Sequence, residues 1–211
     1  MMLIGKKIHK DYNWDNLNRC KCNAKIFAMA LKSTIHKVRL TLSNLDIHHY
    51  NDYSLTIAKH PSENDLRMMI RILAFSLSAQ EEIQFTKGLS TDTEPDLWKI
   101  NHDGSIDHWI ELGLPDERQI RQMCSKANKV TIYTYHGNQA LQWFESVEGK
   151  VHRFDHLNII HFTVEEGKSL EALVDKGMNL DISIEDNEIW ISNDTERMCV
   201  QLQIVRSSKS L

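Results

Sequence analysis

DLWKINHDGSIDHWIEL, residues 96–112, is the stretch from which the fold reads outward. Two alternating runs flank Asp103-Gly104, and Asp-Gly between strand patterns is a strong hairpin signal because a type I′ turn needs positive φ at both central residues. A two-residue loop pairs His102 with Ser105. Counting outward pairs Lys99 with His108, Trp98 with Trp109, Leu97 with Ile110 and Asp96 with Glu111. Alternation puts Asp96, Trp98 and Ile100 on the face of Glu111, Trp109 and Asp107. Opposed side chains lie about 5 Å apart at Cβ and like charges there repel, so a divalent cation, Mg²⁺ or Mn²⁺, is the expected partner for Asp96 and Glu111. Asp107 lies about 13 Å farther along its strand, beyond reach of the same ion. The plainer account is that Asp96 caps the loop after Pro95 and Glu111 ends a solvated strand, where two acids repel by only about a few tenths of a kcal/mol.

Before the hairpin, residues 31–45 alternate as a strand, with Ile35, Lys37, Arg39 and Thr41 set against His36, Val38, Leu40 and Leu42, and residues 50–59 read as its return partner. His60-Pro61-Ser62-Glu63 then announces a helix running to about Ala79: Pro61 stops the strand, Ser62 can cap, and Glu63 and Asp65 suit the first turn. Leu66, Met69, Ile70, Leu73 and Leu77 make one apolar stripe while Met68, Ile72 and Phe75 make a second, which predicts a central helix covered on more than one side. A short strand at 83–87 leads into the hairpin strands, 97–101 and 106–112. Pro115-Asp116 starts a second helix with Ile120, Met123, Cys124 and Ala127 on its buried face, and the chargeless run 130–135 is an interior strand. A helix at 138–146, a strand at 157–164, a short helix near 169–175 and three strands over 179–205 follow, the last punctuated by Asp186-Asn187 and Asn193-Asp194 turns.

The formal net charge of −4 is unevenly placed. Residues 1–28 hold Lys6, Lys7, Lys10, Arg19, Lys21 and Lys25 against Asp11 and Asp15, a balance of +4, so the remainder carries −8. A domain that acidic gains little from general attraction to phosphate, and a nucleic-acid role would need a local basic patch or bound divalent cations. No apolar run approaches the eighteen or so residues of a membrane span, which predicts a cytoplasmic protein with no membrane partner. Cys20, Cys22, Cys124 and Cys199 have no framework spacing and read as reduced thiols. His48-His49 and His152, His156 and His161 lack companions at zinc spacing.

Several stretches, HPSENDLRMMIRILAF, QFTKGL, EPDLW and above all DHWIELGLPDERQI, resemble the YaeQ family of bacterial proteins, and the resemblance runs from Met29 to about Val205. It implies a mixed α/β (α+β) fold: a central mixed sheet flanked by helices, with a restriction-endonuclease-like PD-(D/E)xK-type core and extra antiparallel strands. It also implies a single domain over 29–205, followed by a tail at 206–211; outside it, residues 1–28 show no clear period, are rich in Asn and Lys, and read as a flexible basic extension or an upstream over-reading of the start site. Mapped onto this chain, the Pro-Asp of that superfamily resembles Pro95-Asp96 and its second acid resembles Glu111, the two residues the hairpin count pairs. Glu63, at the start of the first long helix, resembles the further acid of the set, and a carboxylate that stabilises a helix N-terminus is the plainer role for it. Gly113 stands where the superfamily has lysine, so the cation must come from elsewhere: Lys87 first, or Arg118 and Arg121.

Two functions follow as expectations. The first is a Mg²⁺- or Mn²⁺-dependent nuclease in which Asp96 and Glu111 hold the ion, Glu63 assists and Lys87 orients the attacking water. The alternative is a non-catalytic module that keeps the nuclease fold and binds nucleic acid or a protein.

Overall fold

The computed structural model describes residues 33–86 and 94–208. The expected extension at 1–28, and Lys87, lie outside the described residues, as do positions 209–211 of the expected tail. The opening alternation folds as drawn: β1 (Thr34–Asn44) buries His36, Val38, Leu40, Leu42 and Asn44, and pairs antiparallel with β2 (His49–Lys59) from Thr34↔Lys59 to Asn44↔His49.

Helix α1 (Asp65–Ser78) begins two residues later than the Ser62 cap predicts. Asn64 is the cap, its side chain accepting from the Arg67 amide at 2.8 Å, while Ser62 bonds the His60 ring instead. Both predicted stripes are buried except at the ends, where Leu66 and Leu77 are half-buried, and Met68 through Phe75 are almost wholly out of solvent. Burying a side chain of this size contributes roughly 1.5–3 kcal/mol. After a 3-10 turn (Ala79–Glu81), Glu82 takes a left-handed conformation (φ 58°) and turns the chain into β3 (Gln84–Phe85).

Next come β4 (Leu97–Ile100) and β5 (Ile106–Leu112), then α2 (Glu117–Lys126), whose Asp116 and Gln119 form a reciprocal capping box. Ala127, expected on the buried face of that helix, instead opens β6 (Ala127–Thr134). Helix α3 (Asn138–Val151) runs five residues past its predicted end through Gly149, because Val147 and Val151 still have a core to fill. The chain finishes with β7 (Leu157–Val164), a 3-10 turn (Leu170–Leu173) where a short helix was expected, β8 (Gly177–Glu185), β9 (Glu188–Ser192) and β10 (Arg197–Arg206). The Asp186-Asn187 turn has positive φ at both residues, 50° and 66°, as a two-residue hairpin demands.

Among the described residues all ten strands join one mixed sheet in the order β2-β1-β8-β9-β10-β7-β6-β5-β4-β3. Pairings β1 with β8, β5 with β6 and β6 with β7 are parallel, and the others are antiparallel. Two cores line its faces. Helices α2 and α3 flank β5, β6 and β7, enclosing Trp109, Ile120, Met123, Val130, Ile132, Val151 and Leu157. On the other face α1 packs against strands from both halves of the sheet.

That placement departs from helices simply flanking a sheet, because the sheet curls almost closed around α1. Phe75 meets Tyr53 of β2 edge-on and stacks with Phe85 of β3, each at 5.2 Å between ring centroids, although β2 and β3 are the two ends of the strand order. One guanidinium spans the same seam: Arg71 donates to the Ala58 carbonyl on β2 (3.2 Å) and to the Thr86 carbonyl just past β3 (3.4 Å). Edge strands carry unpaired carbonyls, and a buried charged donor between two edges satisfies some of them.

Candidate functional site

The β4–β5 hairpin reaches its expected outer register by an unexpected route. Asn101 N–H donates to the Ser105 carbonyl (2.8 Å) and Gly104 N–H to the Asn101 carbonyl (2.9 Å), so the loop has three residues, His102, Asp103 and Gly104. Gly104 alone is left-handed (φ 85°), and Asp103 spends its carboxylate on the Ser105 amide (2.9 Å) and hydroxyl (2.6 Å). Ile100 consequently pairs with Ile106, a slip of one, and a bulge at Asp107 cancels it before Lys99↔His108, Trp98↔Trp109 and Leu97↔Ile110. Regular pairing stops there. Asp96 N–H donates to the Ile110 carbonyl (3.1 Å), the residue already opposite Leu97, so the ladder is irregular where Asp96 and Glu111 were expected to face one another.

The two acids then take different partners. Asp96, with no solvent exposure, is held by Arg67 of α1, Nη1 to Oδ1 at 2.6 Å and Nη2 to Oδ2 at 2.8 Å, and its Oδ2 also accepts the Leu112 amide at 2.9 Å. Glu111 accepts the Trp109 indole N–H at 3.1 Å. Alternation along β5 places Glu111 on the Trp109 side, away from Ile110 and Leu112, which pack with α1.

Glu63 does not bond the amides of the α1 N-terminus. Its buried carboxylate takes Arg71 on both oxygens (3.3 and 3.2 Å), Arg67 at 3.5 Å and the His60 amide at 3.3 Å. Glu63, just before the helix, reaches Arg67 and Arg71 on its first two turns, and with Asp96 they form a largely buried row of alternating charge at the N-terminal end of α1.

Burial pushes the Asp96 carboxyl up, against the pull of Arg67, Arg71 and the Leu112 amide. Burial works equally against the charge on Arg67, but Asp96 and then Glu63 outweigh it and hold the guanidinium above its ordinary value. Just beyond the C-terminal end of β6, the Tyr135 phenol is raised by burial and by the Asp96 and Glu63 charges, while burial and Arg67 lower His136. Their rings lie 4.1 Å apart between centroids, tilted by 30°.

Asp96 is thus paired with Arg67 and Glu63 with Arg71, while Glu111, expected to share a cation with Asp96, accepts the Trp109 indole N–H. Among the described residues no group of three or more His, Cys, Asp or Glu side chains is arranged to hold a metal ion. The substitute cations expected on the following helix do not enter: Arg121 pairs with Glu117 at the surface (2.5 Å) and Arg118 is exposed. Gly113 adopts φ 106°, a conformation in which the superfamily lysine would be strained. Sequence reading missed Arg67, Arg71 and Tyr135. The available signal was a charged residue, Arg71, within an otherwise apolar run, four positions after Arg67 and eight after Glu63.

The chain matches the YaeQ protein family over residues 29–202. This protein belongs to the YaeQ family. It is 41% identical over 174 residues to the uncharacterised YaeQ protein of Escherichia coli (strain K12), covering 82% of this chain and 96% of that one. It is 39% identical over 174 residues to the YaeQ protein of Salmonella typhi. The crystal structure of YaeQ from Xanthomonas axonopodis pv. citri superposes with a TM-score of 0.79 at 34% identity, over 83% of this chain and 99% of that one. YaeQ from Pseudomonas syringae superposes with 0.75 at 29% identity, over 84% and 98%. The resemblance drawn from DHWIELGLPDERQI is thus a family relationship that extends through the ten-stranded mixed sheet. No helix among the described residues of this YaeQ-family chain is long and apolar enough to cross a membrane.

Proposed function

We propose that this YaeQ-family chain is a protein-binding module on a restriction-endonuclease-like PD-(D/E)xK-type core, one that has lost phosphodiester chemistry at its acid set. The observation that carries the reading is the two-point ion pair of Arg67 with the fully buried Asp96. A carboxylate neutralised in this way has no vacant charge to offer Mg²⁺, which is held in catalytic sites through one or two carboxylates, waters and substrate phosphate. Gly113 in place of the motif lysine supports the same reading, and the balance of −8 over residues 29–211 favours a protein surface over a phosphate backbone as partner.

Calorimetric titration with Mn²⁺ tests it. The expected result is no heat and no thermal stabilisation. Saturable heat that Asp96→Asn removes, together with metal-stimulated cleavage of DNA or RNA, would overturn it. Those outcomes belong to the second reading, a Mg²⁺- or Mn²⁺-dependent nuclease in which Asp96 and Glu111 ligate the ion, Glu63 assists and Lys87 orients water. What favours that reading is backbone proximity: Asp96 bonds the amide of Leu112, the residue next to Glu111. It requires Arg67 to leave Asp96 when metal arrives.

A further inference from the structure

At the other end of α1, whose 14 residues span roughly 20 Å, a second polar cluster faces the inside of the curled sheet. The reversal at Glu82 carries the side chain of Glu81 back over β5 and β6. There Glu81 Oε2 meets His108 Nδ1 at 2.7 Å, and His108 Nε2 meets Thr131 Oγ1 at 2.9 Å. Lys129 Nζ donates to the remaining Glu81 oxygen at 2.7 Å. Register makes this possible: His108 pairs with Lys129 and Ile110 with Thr131, so His108 and Thr131 are diagonal neighbours on one face of a parallel pair.

All four line an open pocket of about 350 Å³, large enough for a small organic molecule. Leu77, Ile160, Leu202 and Ile204 supply its apolar wall. The proton positions follow from charge. The hydrogen bond from His108, followed by Lys129, holds the Glu81 carboxyl down at about 2 against the effect of burial, so it is an acceptor throughout the physiological range. Nδ1 of His108 therefore carries the ring proton, and Nε2 is the basic nitrogen that accepts from the Thr131 hydroxyl. Burial lowers His108 and favours the neutral, base-competent ring.

We propose that Glu81, His108 and Thr131 form a carboxylate–imidazole–hydroxyl relay that transfers acyl groups from small carboxylic esters bound in this pocket. The arrangement has the order and contact distances of an activated nucleophile, a base and a group that orients the base. Thr131 Oγ1 attacks the ester carbonyl carbon as its proton passes to His108 Nε2. The tetrahedral adduct collapses, the C–O bond to the leaving group breaks, and the departing alkoxide takes the proton from Nε2. Water then attacks the acyl-threonine ester, giving a proton to Nε2, and the Thr131 oxygen leaves with that proton to release the acid. Glu81 is a positioning residue that fixes the tautomer and stabilises the imidazolium. This pocket is separate from the Asp96 site, and the inference stands whether or not the reading of that site holds.

The test uses the full chain with p-nitrophenyl butyrate. The expected result is nitrophenolate release above the buffer blank and one butyryl group per chain on the Thr131 peptide after an acid quench. Thr131→Val, which keeps the side-chain shape, lowers release at least about 100-fold, the scale of a lost nucleophile and base, whereas Thr131→Ser retains it. His108→Gln abolishes acylation, and melting curves confirm that the variants are folded. No release from the unaltered chain, release unchanged in Thr131→Val, or an acyl group mapped only to other residues such as Lys129 would each overturn the proposal. Should Thr131→Val fail to fold, the acylation map and the Thr131→Ser rate decide in the same way.

Discussion

Arg71→Met removes a fully buried cation that touches both margins of the sheet. Its guanidinium satisfies Glu63 on both oxygens and the carbonyls of Ala58 and Thr86, with no solvent exposure to replace any of them. Breaking a buried ion pair by removing one partner costs on the order of 3–5 kcal/mol, because the remaining charge is left uncompensated. Arg67 at 3.5 Å and the His60 amide retain part of the support of Glu63, which points to the lower half of that range, about 3–4 kcal/mol. For a chain of this length the melting temperature should then fall by roughly 10 °C. Urea unfolding of Arg71→Met, Glu63→Leu and the double variant reads the effect directly. The double variant should be more stable than Arg71→Met alone, since apolar side chains of similar volume can replace a buried pair with little loss. A cost below about 1 kcal/mol for Arg71→Met, or strict additivity in the cycle, would refute the reasoning that this pair closes the seam.

Stability should also depend on pH through Glu81. Its carboxyl is held at about 2 when folded, against about 4.3 in an unfolded chain, so its contribution is fully present above the unfolded value and is lost as pH falls from there toward 2. Glu81→Gln should flatten the acid limb of a stability profile between those limits, and an unchanged limb would contradict the assignment. Asp116→Ala, which opens the capping box of α2, should cost about 1 kcal/mol in urea unfolding. Burial raises the Cys124 thiol to about 12, so in the native protein it should resist iodoacetamide at pH 7.5 and label only after denaturation, as mass spectrometry of the peptide would show.

Local patterns in this sequence were legible to the extent that local physics decided them. The β1 alternation, the double stripe of α1 and the Asp186-Asn187 turn each depend on neighbouring residues, and each appears where the pattern places it. The hairpin is the instructive case. The pattern of Asp103-Gly104 predicts both centres of a two-residue turn, yet Asp103 bonds Ser105, and the odd loop would invert the register but for the bulge at Asp107. Two departures of opposite sense left the pairs from Lys99 to Leu97 in place, though not Asp96 with Glu111. Tertiary packing decided what local signals could not. Gly149 sits inside α3 because Val151 fills a core, and Asn64 displaces Ser62 as the α1 cap. The strand order depends on pairings between distant segments, such as β1 with β8, that no periodicity encodes. At the candidate site Asp96 and Glu63 were identifiable, but their partners were not. Arg67 and Arg71 fall among apolar residues whose stripe dominated the reading, and burial, which turns such residues into counter-ions, is a property of the assembled sheet.

Because the outermost strands of the roll are β2 and β3, the elements immediately before and after α1, its closure is a local event in the chain. Roughly two dozen residues separate the end of one margin from the start of the other, so bringing them together costs little more loop entropy than forming a short helical connection. The slow part of folding should instead be the interior of the ribbon, where β8, β9 and β10 must insert between β7 and a β1 made much earlier in synthesis. A nascent chain could thus hold its seam ready around one helix while still waiting for the middle of its own wall.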